Sequence, residues 1–491
     1  MTDAVTSTID TIGIQTEPSP AIVVGGPGIP PEQLTLDGTR QQLVGVSRAE
    51  GDRWSAAIPL LSEHWKSVPL PPRSGRYRLG GATVTGELPA SQLIEAVTRI
   101  GFDRDGETLI VDFAAPLTDR ERGRLQQASL EADYRATDYP PLDAVFFESF
   151  FGRNASCNPL AIDRAIAEQR PDIRRYWSVA DASVAVPEGA TALIEGSAEW
   201  WRIRGSARLL VVNDWLRKRY RKRAHQKVLQ TWHGTMLKKL ALSRGRVGLR
   251  TTIATILESR RWNILLAQND YSRRIFRTAY AYLGPVWEVG YPRDDVLLTG
   301  DAAAVRDRLG IPSGTKVLLY APTWRDDQPD HVDHLDVAAF ARELGPDYVT
   351  LIRGHSRTLL PGEDVHAPGV IDVTGYPDVS ELFLVADALV TDYSSVMFDF
   401  TVTGKPLFFF TPDLEHYQRT LRGFYFDLLP VAPGPIVSDA AELARLVKDR
   451  TDVAPEYRER YAAWRERFNP LDDGHAADRV VARLLAEGVI G

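Results

Sequence analysis

Between about residues 37 and 130 the chain carries short runs in which apolar and polar positions alternate: 42–46, 54–60, 77–79, 82–85 and 108–113. Alternation with a period of two is the mark of a half-buried strand, and turn residues separate the runs. They predict a small β-rich accessory module, a sandwich by its spacing, with no catalytic constellation inside it. Ahead of it, residues 1–36 are rich in Thr, Ser, Pro and Gly without a sustained period, which predicts a disordered, flexible tail. The segment GGPGIP (25–30) lacks the Gly-Lys-Ser/Thr ending of a phosphate loop and is expected to be a turn.

After Asp143 the pattern changes to continuous apolar runs alternating with helical stretches, as expected of parallel sheets covered on both faces. The first set of strands is predicted at 144–147, 192–195, 209–213, 228–231 and 264–267. A second set follows the Gly-Tyr-Pro-Arg segment (290–293), at 317–320, 348–352, 370–373, 388–391 and 406–410. The fold class is therefore α/β, with two doubly wound Rossmann-like domains in series over 143–295 and 296–485. Ligands of such sheets sit beyond the carboxyl ends of the strands. His233, Arg325, His355 and Ser394 each fall just after a predicted strand, so they are expected to meet in the crevice between the sheets.

In QTWHGTMLKKL (230–240) a strand ends and a Gly-containing turn is expected to open a helix. His233 there is a general base or a helix cap, and Lys238 an anion contact or a solvated cation. VLLYAPTWRDD (317–327) offers Thr323 and Arg325 as donors to phosphate oxygens, Arg325 having Asp326 and Asp327 as alternative partners. VTLIRGH (349–355) ends in Arg353, which has a neighbouring carboxylate as an alternative partner, and His355, which follows a glycine that lets a ligand approach the backbone. In the βαβ unit 388–410, Ser394 and Ser395 stand where the helix begins, as phosphate donors or as a plain cap, with Asp392 able to orient them. LRGFYFD (421–427) adds Arg422 and Gly423, a second cation beside the serine helix or a surface pair.

Charge and composition narrow the partners. The chain has 491 residues, 44% of them hydrophobic and 25% charged, and a formal net charge of −7, which argues against general nucleic-acid binding. The run RKRYRKR contributes six local cations, Arg217, Lys218, Arg219, Arg221, Lys222 and Arg223, which form a solvated face or hold anionic lipid head groups or a polyphosphate acceptor. Cys157 is the only cysteine, so a disulfide framework and a thiolate cluster are excluded. No run is apolar and long enough to span a bilayer, and the start has no secretory layout; a cytoplasmic protein is expected, at most peripheral on the inner face of the membrane. The loop with Asp330, His331, Asp333, His334 and Asp336 has metal-ligand residue types but no closed set, so no metal is expected.

Seven segments in order carry a resemblance: FFESFFGRNASCNP (146–159), QTWHGTMLKKL (230–240), GYPRDD (290–295), YAPTWRD (320–326), IRGH (352–355), TDYSSVMFDF (391–400) and RGFYFD (422–427). Together they resemble the CDP-glycerol glycerophosphotransferase family of teichoic-acid primases and polymerases, over about residues 143–485. The resemblance implies a two-domain glycosyltransferase-B fold, with an acceptor domain over 143–295 and a CDP-donor domain over 296–485. It also implies His233 as catalytic base and His355 as a second catalytic histidine. Donor-phosphate contacts are implied from Thr323, Arg325, Ser394, Ser395, Arg422 and Gly423, with Asp392 beside them and Gly234, Thr235, Lys238, Arg293 and Arg353 in support. The implied donor is CDP-glycerol or CDP-ribitol, and the implied acceptor a cell-wall or capsular polymer or a lipid-linked precursor. No tightly bound cofactor is implied, a divalent cation being compatible but not required. Met236, Gly354 and Asp294 depart from the family's usual residues without removing a catalytic group. A nucleotide-sugar glycosyltransferase of the same fold and a non-catalytic polymer-binding protein are the rival readings.

Overall fold

The computed structural model describes residues 7–491 apart from 40, 217–218, 246, 324–334, 355–366, 414–422 and 450–451. Arg325, His355 and Arg422 lie outside the described residues, as do Arg217, Lys218, Asp330, His331, Asp333 and His334.

Strands begin at the first described residue: β1 (Ser7–Ile9), β2 (Thr11–Gln15), β3 (Ala21–Pro27), β4 (Thr35–Asp37), β5 (Gln42–Val44), β6 (Val46–Glu50), β7 (Arg53–Pro59), β8 (Gly75–Gly80), β9 (Ala82–Val84), β10 (Gln92–Ile94), β11 (Thr98–Asp105) and β12 (Thr108–Ala114). They form a six-stranded sheet in the order β10-β11-β12-β8-β4-β5, a four-stranded sheet β2-β3-β7-β6 and the pair β1-β9. One core joins them, with Ile22, Trp54 and Ile58 packed in the same cluster as Leu36, Leu79 and Val111. The tail expected over 1–36 is thus corrected: from Ser7 it is part of the module, because Ile9, Ile22, Val24, Leu34 and Leu36 are all at most 1% exposed. Close approach of β1 to β3 explains Gly26, where a Cβ would stand 1.7 Å from the Thr8 carbonyl oxygen. The expected turn in GGPGIP starts only at Gly28, since Gly25 and Gly26 still belong to β3.

The helix Arg124–Ala136 leads into the front half, built on β13 (Leu142–Glu148), β14 (Arg174–Val179), β15 (Thr191–Ile194), β16 (Ala207–Val212), β17 (Lys227–Gln230), β18 (Ile264–Ala267) and β19 (Val286–Glu288). This sheet has the order β15-β14-β13-β16-β17-β18-β19, parallel throughout. Helices cover both faces, which is why β13 is a continuous apolar run: Ala144 and Phe146 enter one core, Val145 and Phe147 the other. The rear half repeats the plan with β20 (Lys316–Ala321), β21 (Tyr348–Ile352), β22 (Val370–Asp372), β23 (Ala388–Thr391), β24 (Leu407–Phe410) and β25 (Ile436–Val437). Its order is β22-β21-β20-β23-β24-β25. In both sheets the strand order reverses beside the first strand, the switch-point arrangement of dinucleotide and nucleotide folds.

The segment 296–485 is not one body. The helix Ala476–Ala486 leaves the rear half and lays Val480, Val481 and Leu484 against Val145, Phe147 and Trp287 of the front sheet. Its sequence gives an amphipathic helix but nothing that says which sheet it covers. Among the described residues no helix is long and apolar enough to cross a membrane.

Candidate functional site

At the front switch point Asn213 follows directly on β16. Its side chain accepts from the Phe150 backbone N–H at 2.9 Å and donates to Ser149 Oγ at 3.1 Å, tying the ends of β13 and β16 together. The Asn213 carbonyl oxygen lies 2.6 Å from His233 Nδ1. A carbonyl can only accept, so Nδ1 carries the proton and Nε2 keeps its lone pair. The imidazole stacks on Trp232 at 4.8 Å and 15° and meets Phe150 at 5.6 Å. Burial among these rings pushes the His233 pKa down; Asp214 and the Asn213 carbonyl pull it up, and Arg293 adds to the fall. The net direction keeps the ring neutral at neutral pH, the state a general base needs.

The loop that presents His233 does not become a helix, correcting the expectation for 230–240. Residues 237–240 extend instead along the rear half: Lys238 forms an antiparallel bridge with Phe424, Tyr425 N–H donates to the Leu237 carbonyl at 2.8 Å and Lys239 N–H to the Gly423 carbonyl at 3.1 Å. Backbone groups satisfied across the domain boundary have no need of a helical partner. Gly423 is thereby placed beside the His-Gly-Thr segment, and half-buried Lys238 with it. Thr235 is fully buried and anchors the loop, donating to Gln268 Oε1 at 2.5 Å.

Arg293 joins the halves. It is 7% exposed, and its guanidinium donates to the His233 carbonyl at 2.9 Å and to Asp399 Oδ1 at 3.1 and 2.6 Å. Asp399 sits in the short helix Val396–Phe400 that follows Ser394 and Ser395. The same junction brings Gly234 against Ser395, where a Cβ would stand 3.2 Å from Ser395 Oγ and 3.4 Å from Arg293 Nη2. Asn158 closes the ring: it donates to the Thr231 and Trp232 carbonyls at 3.1 Å each and accepts from Arg293 N–H at 3.0 Å.

At the rear switch point both Asp392 oxygens lie 2.9 Å from the Thr323 backbone N, and Oδ1 also accepts from Tyr393 N–H. This buried carboxylate therefore clamps the ends of β20 and β23, while Ser394 and Ser395 remain half-exposed at the crevice. Arg353 is likewise turned inward, donating to the carbonyls of Val373 at 3.2 Å and Tyr376 at 2.8 Å. Burial lowers its pKa to about 10, against the pull of Asp378 and Asp372. Its guanidinium ties the end of β21 to the segment after β22.

His233, Gly234, Arg293, Ser394, Ser395 and Gly423 are thus brought to one crevice, whereas Thr235, Asp392 and Arg353 serve its walls. Asn158, Asn213, Asp214 and Asp399 were not singled out from sequence. Asn158 and Asp399 lie inside the quoted landmarks, and their partners are 135 and 106 residues away, so local pattern holds no sign of them.

The family model for CDP-glycerol:poly(glycerophosphate) glycerophosphotransferase matches residues 139–486. The teichoic acid poly(glycerol phosphate) polymerase of Bacillus subtilis (strain 168) is 36% identical over 364 residues, 69% of this chain and 48% of that protein. The teichoic acid glycerol-phosphate transferase of Staphylococcus aureus (strain NCTC 8325 / PS 47) is 36% identical over 370 residues, 70% of this chain and 94% of that protein. A solved structure of the wall teichoic acid polymerase TagF superimposes with a TM-score of 0.68 and 35% identity, covering 74% of this chain and 94% of that one. The chain spans about half the length of the polymerases it matches, 48% and 49% for the Bacillus subtilis and Staphylococcus epidermidis proteins, and its β-rich module lies outside the matched residues. The match to the family model extends over both sheets and the crevice between them, and the chain belongs to the CDP-glycerol:poly(glycerophosphate) glycerophosphotransferase family.

Proposed function

We propose that the protein transfers glycerol phosphate from CDP-glycerol to a hydroxyl of a teichoic-acid-like or related wall polymer. The acceptor oxygen attacks the phosphorus that bears the glycerol, His233 Nε2 takes the hydroxyl proton, the bond to the CMP phosphate breaks, and CMP leaves. Ser394, Ser395, Thr323 and Gly423 line the donor side in this reading, joined by Arg325 and Arg422 as cations and by His355. Such chemistry is mostly positioning and charge neutralisation. The observation that carries the reading is the Arg293 junction, in which one guanidinium grips both the His233 carbonyl and Asp399 of the serine helix. Gly234, next to the imidazole of one half, then lies against Ser395 of the other. In support, a solved variant of the TagF polymerase was soaked with CDPG.

The test is CMP release with a polymer acceptor, CDP-glycerol and CDP-ribitol being offered separately. His233→Ala should fold normally and lose about 100-fold or more in turnover, the usual weight of a general base. Near-normal turnover by this variant would end the assignment, and stabilisation by UDP- or GDP-sugars alone would favour the glycosyltransferase reading.

We also propose peripheral contact with an anionic membrane, with altered means. Arg223 is only 9% exposed and donates to the Tyr134 carbonyl at 2.6 Å, so it belongs to the protein interior. Arg219 and Arg221 pair with Glu131 and Asp138, and Lys222 donates to the Arg260 carbonyl. The better apolar surface is the helix Leu249–Ser259, whose Leu249, Ile253 and Leu257 recur every four residues and are 76%, 49% and 60% exposed. Replacing Leu249 and Leu257 by Glu should abolish co-sedimentation with phosphatidylserine vesicles; unchanged sedimentation would dismiss this face.

A further inference from the structure

Residues 60–74, an excursion between β7 and β8, carry the β-rich module onto both halves of the α/β part. The excursion doubles back on itself, with Ser62 and Leu70 paired through reciprocal backbone hydrogen bonds of 3.0 and 2.9 Å. Gln41 braces it by accepting from Arg73 N–H at 3.0 Å. Its tip carries Trp65 and Lys66, both with positive φ, 57° and 49°. An unfavourable backbone conformation at two consecutive bulky residues needs tertiary contacts to hold it.

Those contacts are made with the rear half. The Trp65 ring is half-buried against the rear core and meets Tyr376 edge-to-face, with centroids 5.5 Å apart. Lys66 Nζ lies 2.8 Å from Asp307, a pair exposed enough to add little. At the base of the excursion, Ser74 N–H donates at 2.7 Å to Asp181, which follows β14 of the front sheet. Asp181 is 8% exposed. Tyr376 follows β22 of the rear sheet, so both anchors stand beyond the carboxyl ends of strands, on the crevice side.

Tyr376 in turn connects to the donor side of the crevice. Its hydroxyl donates to Glu381 at 2.5 Å, Glu381 is held by Arg308 at 2.8 Å, and Arg164 of the front half approaches Glu381 at 4.0 Å. Its carbonyl accepts from Arg353, the residue two before His355. Accessory module and rear half therefore meet at this aromatic pair, with Arg164 of the front half reaching the Glu381 that Tyr376 holds.

We infer that the 60–74 excursion is a strap across one side of the crevice and that Trp65 is a positioning residue, fixing through Tyr376 the Arg353 side chain at the carboxyl end of β21, and with it the rear wall of the donor side. The inference rests on the crevice being the CDP-polyol site. It gives the module, which lies outside the family match, a part in donor binding without requiring any ligand of its own.

The experiment uses the full chain with Trp65→Ala and Trp65→Phe. Hydrogen exchange is followed by mass spectrometry over peptides covering β21 with Arg353 and Gly354, and β22 through Tyr376, and CMP release is measured with donor and acceptor varied separately. Loss of an edge-to-face contact of this size should raise the donor KM about fivefold, leave the acceptor KM unchanged and speed exchange around Arg353, with Trp65→Phe close to wild type. A merely structural role would lower the amount of active enzyme, reducing kcat alone. Unchanged exchange in a folded Trp65→Ala protein, or equal shifts in both KM values, would overturn the inference. If the alanine variant fails to fold, Trp65→Leu, which keeps apolar bulk without an aromatic edge, is read in the same way. Absence of CMP release from the wild type would instead discard the functional reading, and the exchange data would still decide whether the strap exists.

Discussion

Arg293 is buried with one carboxylate in direct contact, Asp399, and a second close by, Asp294, which Asp472 crowds in turn. Breaking a buried pair by removing one partner strands the other charge, so Asp399→Asn should cost about 3 kcal/mol in denaturant unfolding and loosen the His233 loop. The crowded acids carry a pH signature. Burial pushes Asp472 up to about 7, and burial with repulsion from Asp399 and Asp472 pushes Asp294 well above the carboxylate range. Groups with raised folded pKa values lend stability that is complete below the unfolded value near 4 and is lost as pH rises through the folded one. The melting temperature should therefore have a component that falls between about pH 4 and pH 7, and Asp294→Asn should shrink it, as melts across that range will reveal. For His233 the sign is opposite. Its lowered pKa keeps the ring deprotonated below the usual histidine range, so the acid limb of kcat/KM should lie under pH 6.5. Asp214 pulls that pKa upward, and Asp214→Asn should move the limb to still lower pH, which a pH–rate profile would measure.

Elements were legible in the sequence to the degree that their burial was two-sided. The strands β13, β16, β20, β23 and β24 read as continuous apolar runs because helices cover both faces, and each was located within a residue or two. The strand β14 escaped because Arg174 and Arg175 open it, the second buried only through its ion pair with Asp163 at 2.7 Å. β1 to β4 escaped because prolines and glycines divide them into short pieces, and three of them also depend on distant partners, β1 on β9, β3 on β7 and β4 on β8. Their burial makes the start of the chain a structural necessity: Ile22→Ala should cost about 2–5 kcal/mol, and a chain beginning at residue 37 should lose the module's cooperative melting transition. The extended course of 237–240 is a failure of the same kind. Its partners at 423–425 are remote in sequence, and a glycine turn before a Leu-Lys-Lys-Leu run gives no local hint of them.

At the scale of the whole molecule, two open sheets and the crevice between them follow from the order of apolar runs, and His233 at a strand end follows with them. What pattern alone did not yield was how the halves are joined. The chain crosses from front to rear near Tyr291 and returns near Asp472, and the two crossings touch: Tyr291 N–H donates to Asp472 at 2.7 Å, and a Cβ on Gly290 would stand 2.7 Å from the Leu471 carbonyl oxygen. Two connectors lying side by side behave as a door hung on paired pins, free to swing about one axis and resistant to twisting or sliding. Movement of the halves should therefore be a single swing, and a protease cut in either connector should leave the pieces together through the other, co-eluting on a sizing column. Halves jointed in this way return to the same alignment of His233 and the serine helix after each opening.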